Sequence, residues 1–228
     1  MRGGSYLQLK GSKQPDRIFE LYLFINPIGF NCYRCEEELL KFIANTTYKV
    51  HFNFITFHNF QTVTQYMKRI GLNDRDLQLR NETYSSIYDA SLAYKAALLQ
   101  GKKMGRNFLI TLQRYINVDQ IPYSQSLLDT VVDEIGLDKD MFYEDKASQI
   151  VRMDYEKDQQ IAQEMNITKN PSLVIFDSLN QSFGIKIDSL ITEDTIRSVC
   201  FDYENMKTQS SRPLNYGNTY PIEFLHML

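Results

Sequence analysis

The sequence predicts an α/β fold: a β-α-β unit, then a long helical block, then a β-β-α unit. Three observations over its 228 residues predict it. Residues 18–56 run through strand period, helix period and strand period again. From about residue 60 to residue 166 the apolar spacing is helical throughout, and strand period returns at Leu173.

Residues 18–25 (IFELYLFI) are apolar at nearly every position, the pattern of a strand covered on both faces. Pro27 and Gly29 break the run. In the helix that follows, Cys32, Cys35, Leu39, Phe42 and Ile43 recur at helical spacing as one apolar stripe. Glu36, Glu37 and Glu38 occupy its early turns, where carboxylates suit the positive end of the helix dipole, or form an acidic rim that steers a basic partner. Residues 50–56 (VHFNFIT) alternate Val50, Phe52 and Phe54 with His51 and Asn53, which is strand period. A parallel strand-helix-strand unit of this kind crosses over right-handedly.

Within the helical block, Tyr88, Leu92, Ala96 and Leu99 share one face of a helix that Gly101 is placed to cap. Further helices are expected at 106–115, 124–135, 139–143 and 147–165, with Pro122 and Gly136 between them. Residues 173–176 (LVIF) form a short buried strand. Phe183, Ile185 and Ile187 alternate with Gly184 and Lys186 in another, and Asp177, Ser178 and Asn180 suit the hairpin turn between them. Thr192, Glu193 and Asp194 mark the start of a last helix, whose buried stripe is Ile196, Val199, Cys200 and Tyr203. The expected organisation is a disordered segment at 1–15, one domain made of 16–59 and 167–205, a helical insertion subdomain at 60–166, and a polar linker with an apolar tail at 206–228. The tail, residues 221–228 (PIEFLHML), is too short for a stable isolated helix. It docks either on its own domain or on a neighbouring subunit or partner.

Composition excludes several classes of function. With 43% hydrophobic and 13% aromatic residues the chain buries a substantial core, which excludes wholesale disorder. A formal charge of −3 argues against nucleic-acid and membrane-surface binding, which need a basic excess. No apolar run approaches the ~20 residues of a spanning helix, and the first residues lack the apolar stretch of a signal peptide. Three cysteines do not make a disulfide scaffold, so the expected location is the reducing cytoplasm.

Chemistry-bearing residues are few. Cys32 and Cys35 stand at C-x-x-C spacing, either as a redox pair or oxidation sensor, or as two packed thiols. The second reading is preferred, because both fall on the apolar stripe. A structural zinc site wants four N or S ligands, and neither a second C-x-x-C nor a histidine pair is present. Cys200 reads as core. His51, His58 and His226 do not cluster, and His51 suits a solvated strand face. Taken alone, Pro171 before a buried strand reads as a strand-starting trans proline.

Three stretches, FINPIGFNCYRCEE (24–37), LAYKAALLQG (92–101) and Asn170-Pro171, make the chain resemble the DsbA-like branch of the thioredoxin superfamily. Within that branch it is most similar to the YjbH (SpxH) proteins of Gram-positive bacteria. The resemblance implies a thioredoxin fold with an all-helical insertion. It also implies a cytosolic adaptor role, handing an Spx-type transcription regulator to the ClpXP protease; no cofactor, metal, nucleic acid or membrane is expected beside it.

In redox-active members of that branch the first cysteine of C-x-x-C sits at the helix N-terminus, and an aromatic and acidic residues follow the second. Laid on that pattern, Cys32 takes the second position and Gly29 the attacking one, so the motif reads Gly29-Phe30-Asn31-Cys32 without its nucleophile. The resemblance further implies a cis Pro171 facing this spot, with a free backbone edge at Asn170. Partner contacts are then expected at Gly29, Phe30, Cys32, Tyr33, Asn170 and Pro171. The alternative is a DsbA-like thiol-disulfide oxidoreductase or isomerase, with Cys32 as nucleophile, Cys35 as resolving thiol and Arg34 lowering the Cys32 pKa. A glutathione-conjugating enzyme of the related kappa type needs a hydroxyl nucleophile near Gly29, and glycine has none.

Overall fold

The unbroken apolar run at the start of the chain becomes β1 (Ile18–Ile25), an inner strand of the sheet. The structure, a computed structural model, describes residues 17–188, 191–201 and 222–226. β1 leads into α1 (Phe30–Asn45) and then β2 (Lys49–Thr56), which runs parallel to β1 with Leu21 opposite Phe52. After the helices come β3 (Ser172–Asp177), antiparallel to β1 with Leu23 opposite Leu173, and β4 (Asn180–Ile187). The last helix is α8 (Glu193–Phe201), and β5 (Ile222–His226) follows it. Strand order across the sheet is β2-β1-β3-β4-β5.

β5 pairs antiparallel with β4, Phe224 lying opposite Ile185. The apolar tail therefore docks on its own sheet, as a strand. The segments at 1–15 and 208–219, and Tyr203, lie outside the described residues.

Between β2 and β3 run α2 (Phe60–Arg69), α3 (Leu77–Leu99), α4 (Lys102–Asn117), α5 (Gln125–Ile135), α6 (Lys139–Ala147) and α7 (Gln149–Glu164). Their starts follow local capping chemistry. Asn59 Oδ1 accepts from Thr62 N while Thr62 Oγ1 accepts from Asn59 N, and Asp76, Ser124, Asp138 and Ser148 each accept from the third residue of their helix. Two boundaries differ from the sequence reading. Gly101, at φ +124°, forms the tight joint that lets α4 begin at Lys102 rather than 106. α6 runs on to Ala147 because Ser148, and not residue 143, is the break.

α3 is the axis of the block. Residues 90–97 are buried in succession, all round the helix, because α2, α4, α6 and α7 pack on it. Leu99, expected on its buried face, is exposed instead. One apolar core joins sheet to block, with Leu23, Leu39 and Phe54 in the same cluster as Ile87, Phe108 and Leu128. The alternate residues Phe24, Ile55 and Val174 face the other side, onto Ala162 of α7.

Block and sheet are also joined by a buried ion pair. Lys95 Nζ of α3 lies 2.7 Å from Asp158 Oδ1 of α7, and Asp158 Oδ2 accepts from both Thr56 N and Thr56 Oγ1 at 2.8 Å. Gln159 Nε2 donates to Thr56 O at 2.7 Å. Thr56, Lys95 and Asp158 thus each have partners, the condition for burying them.

Candidate functional site: a groove beside a cis proline

The turn from β1 into α1 is built by Asn26. Its Oδ1 accepts from Ile28 N at 3.0 Å, its carbonyl accepts from Gly29 N at 2.9 Å, and its own N–H donates to Cys32 Sγ at 3.2 Å. Gly29 is the N-cap of α1 with ordinary extended angles, φ −89° and ψ 124°, and gives no side-chain cap. Cys32 is therefore the third helical residue, with its sulfur turned back under the turn and only 1% exposed.

A Cβ placed on Gly29 would sit 3.3 Å from Cys32 Sγ. A side chain at position 29 would therefore start in contact with the Cys32 sulfur. Burial pushes the Cys32 thiol far above its ordinary value, and the Asn26 N–H only partly opposes this. Arg34 is not among the leading influences on Cys32, where the oxidoreductase reading expected it. Its charge acts on Cys35, and the cation acting on Cys32 is Arg69. Cys35, one turn on, is buried and pushed up to about 12 by desolvation, as is Cys200. All three thiols are free. A buried thiol with a raised pKa is not equipped to attack a disulfide.

The glutamate run differs from its sequence reading. α1 has no acidic residue in its first turn, so Glu36–Glu38 lie too deep to serve its dipole. Glu36 is fully buried and accepts from Gln113 Nε2 of α4 at 2.8 Å, and burial raises its pKa well above its ordinary value. His58, also buried, stacks among Tyr84, Tyr88 and Tyr155, while His51 is exposed as expected. Among the described residues no three His, Cys, Asp or Glu side chains converge as a metal site, and no helix is long and apolar enough to cross a membrane.

Opposite α1, the Asn170–Pro171 peptide is cis, as the resemblance implies and the local pattern alone does not. Asn170 Nδ2 donates to Phe57 O at 2.8 Å, which fixes the loop to the end of β2. Between this loop, α1 and α2 lies an open cavity of about 520 Å³, lined among others by Asn31, Arg34, Cys35, Arg69, Asn170 and Pro171. Of the partner contacts expected from sequence, Asn170 and Pro171 line it. Gly29 and Cys32 are buried and do not. Phe30 stands outside it, 44% exposed, with the Arg34 guanidinium 6.0 Å from its ring centroid. Tyr33 is half-buried and sits near Glu37 and Arg114, away from the cavity. Arg69 escaped sequence reasoning, because nothing local at the end of α2 marks it as a neighbour of α1.

The chain matches the family described as Thioredoxin over residues 22–198. Among curated relatives, the ClpXP adapter protein SpxH of Bacillus licheniformis is 29% identical over 206 residues, covering 82% of this chain and 68% of the relative. That of Bacillus subtilis is 25% identical over 204 residues, with the same coverage. Among solved structures, the oxidoreductase DsbA from Xylella fastidiosa aligns with TM-score 0.56 at 13% identity, covering 83% of this chain and 87% of its own. The cytosolic disulfide reductase DsbM from Pseudomonas aeruginosa aligns with TM-score 0.51 at 16% identity, covering 84% and 98%. At such identities the structures speak for the fold alone. The parallel β1–β2 pair, the helices inserted before β3 and the cis proline at its start are accounted for together: this chain belongs to the thioredoxin family, with the DsbA-like arrangement of the fold and SpxH proteins as its relatives in sequence.

Proposed function

We propose that this chain is a protein-binding adaptor of the cytoplasm that presents an Spx-type transcription regulator to the ClpXP protease. The observation that carries the reading is Gly29, a residue without a thiol at a position whose Cβ would lie 3.3 Å from Cys32 Sγ. The groove beside Pro171 is kept while the chemistry it served elsewhere in the family is lost. The names of the SpxH relatives support the same assignment. Partner contact falls to exposed Phe30, with Tyr33 beside it, and to the loop at Asn170 and Pro171, whose backbone offers an edge for an extended segment.

The test is reconstituted degradation of an Spx-type regulator by ClpXP, with and without the full chain. Acceleration that survives Cys32→Ala and Cys35→Ala is expected. No acceleration, or insulin reduction abolished by Cys32→Ser, would overturn the reading in favour of thiol-disulfide exchange.

A further inference from the structure

The cavity beside Pro171 holds charges of both signs, but they are not equally committed. Glu38 accepts from Lys41 Nζ at 2.6 Å and from Glu193 N at 2.9 Å. Asp188 accepts from Ser172 Oγ at 2.6 Å and lies 3.7 Å from both Lys169 and Lys186. Each carboxylate in the cavity wall is thus already compensated from within the chain. The guanidiniums are less so: Arg34 bears on the Glu38 carboxylate only through space, without a direct contact. Among the described residues neither Arg34 nor Arg69 has an ion-pair or hydrogen-bond partner, and Arg34 only stacks loosely over Phe30. Both are exposed and both line the same cavity, one from α1 and one from α2. The groove therefore presents two planar forks with no direct partner among the described residues, in a chain whose formal charge is −3. Guanidinium forks match carboxylates in pairs of parallel hydrogen bonds, and the exposed Phe30 ring beside Arg34 gives such a contact an apolar floor.

We propose that this groove selects an acidic stretch of its protein partner, an extended segment carrying Asp or Glu, with Arg34 and Arg69 as the residues that set the preference. This rests on the reading of the groove as a protein-binding site and adds the chemistry of what it takes. The segment lies along the Asn170 edge, and its carboxylates meet the two guanidiniums across the cavity. Charge complementarity of this kind steers encounter and rejects the wrong partner more than it adds raw affinity.

The test uses the full chain and three fluorescein-labelled nine-residue peptides, identical in their Val/Thr flanks and differing only at two central residues: Asp-Asp, Asn-Asn or Lys-Lys. Anisotropy titrations at low salt should rank them acidic, neutral, basic, with the acidic peptide roughly ten-fold tighter than the neutral one, the combined effect of two exposed ion pairs. The preference should shrink as salt is raised. In the Arg34→Gln/Arg69→Gln variant, whose circular dichroism should match the parent because both side chains are exposed, acidic and neutral peptides should bind within about two-fold of each other. In Arg34→Glu/Arg69→Glu the order should invert. Equal binding of the three peptides, binding of none, or an acidic preference that survives in both variants overturns the proposal. So does competition by acetyl-Asp-Asp-amide as effective as the unlabelled nonapeptide, which would assign the cavity to a small anion. Degradation of the regulator by ClpXP is read separately. A chain that drives degradation yet binds all three peptides alike loses the acidic preference and keeps the adaptor role.

Discussion

If position 29 is where the attacking thiol of a redox pair has been lost, Gly29→Cys should restore the pair with Cys32. The backbone at Gly29 already has extended angles that any residue adopts, and a Cβ there would lie 3.3 Å from Cys32 Sγ. Disulfide geometry puts Cβ about 3 Å from the opposite sulfur, so a shift of a few tenths of an ångström closes the bond. The same Cβ meets Asn26 Cβ and Asn26 O at 3.2 Å, and that turn must yield by a similar amount. Chain entropy for a loop of about four residues gives close to 2 kcal/mol of stabilisation before strain, when the whole constraint is credited to the unfolded state. For a chain of this size that is at most ~4–8 °C between the reduced and oxidised variant. The assay is thiol titration in denaturant after mild oxidation with oxidised glutathione, together with peptide mapping and a thermal scan. The variant has four thiols where the parent has three, and oxidation should leave two, Cys35 and Cys200. Four remaining thiols, or a bridge to Cys35 in place of Cys32, would refute the register.

Three further outcomes are expected. In the native parent at pH 8, iodoacetamide should label Cys35 about a thousand-fold more slowly than in urea, since burial moves its pKa from 9.0 to about 12; rapid uptake of one equivalent at Cys32 or Cys35 would contradict the enclosed geometry. Burial lowers the His58 pKa from 6.5 to about 4, so between those values the unfolded chain holds a proton that the folded chain does not. Stability should therefore fall as pH drops from 6.5 to 4, by about 3 kcal/mol from this group, and urea titrations of His58→Phe should lack that share of the loss. Lys95→Met strands the Asp158 carboxylate in the interior and should cost about 3–5 kcal/mol. Adding Asp158→Asn, which removes the charge while keeping an acceptor for Thr56, should recover part of it by urea denaturation, and a Lys95→Met protein as stable as its parent would refute the argument.

What was legible in the sequence were features whose cause is local. β1 announces itself because a strand covered on both faces has no polar alternation to hide it, and the bounds 18–25 follow from the run itself. The helix starts at Ser124 and Thr192 are legible because an N-cap acts within three residues. Glu36 was misread for the same reason. Its sequence neighbours make it look like part of an exposed acidic run, while the residue that permits its burial, Gln113, is 77 positions away. The groove divides along this line too: the glycine before α1 and the cis Asn170–Pro171 peptide were visible in short motifs, but the meeting of Arg69 with α1 is a product of the fold. The strand pairing of residues 222–226 likewise depends on an open edge at β4 that no local pattern records.

The Lys95–Asp158–Thr56 junction reaches beyond stability. It bolts the axis of the helical block to the end of β2, one residue before Phe57, whose carbonyl holds Asn170 in place. To rock the helices against the sheet, the molecule would have to open a buried ion pair and strip several hydrogen bonds at once. The receptor side of any complex is in this sense rigid by construction. For a segment bound in the proposed groove, the burden of adjustment and the ordering entropy that goes with it would fall on the visitor: a loosely structured one could be moulded to a fixed template, whereas a stiff one of the wrong shape would find nothing that gives way.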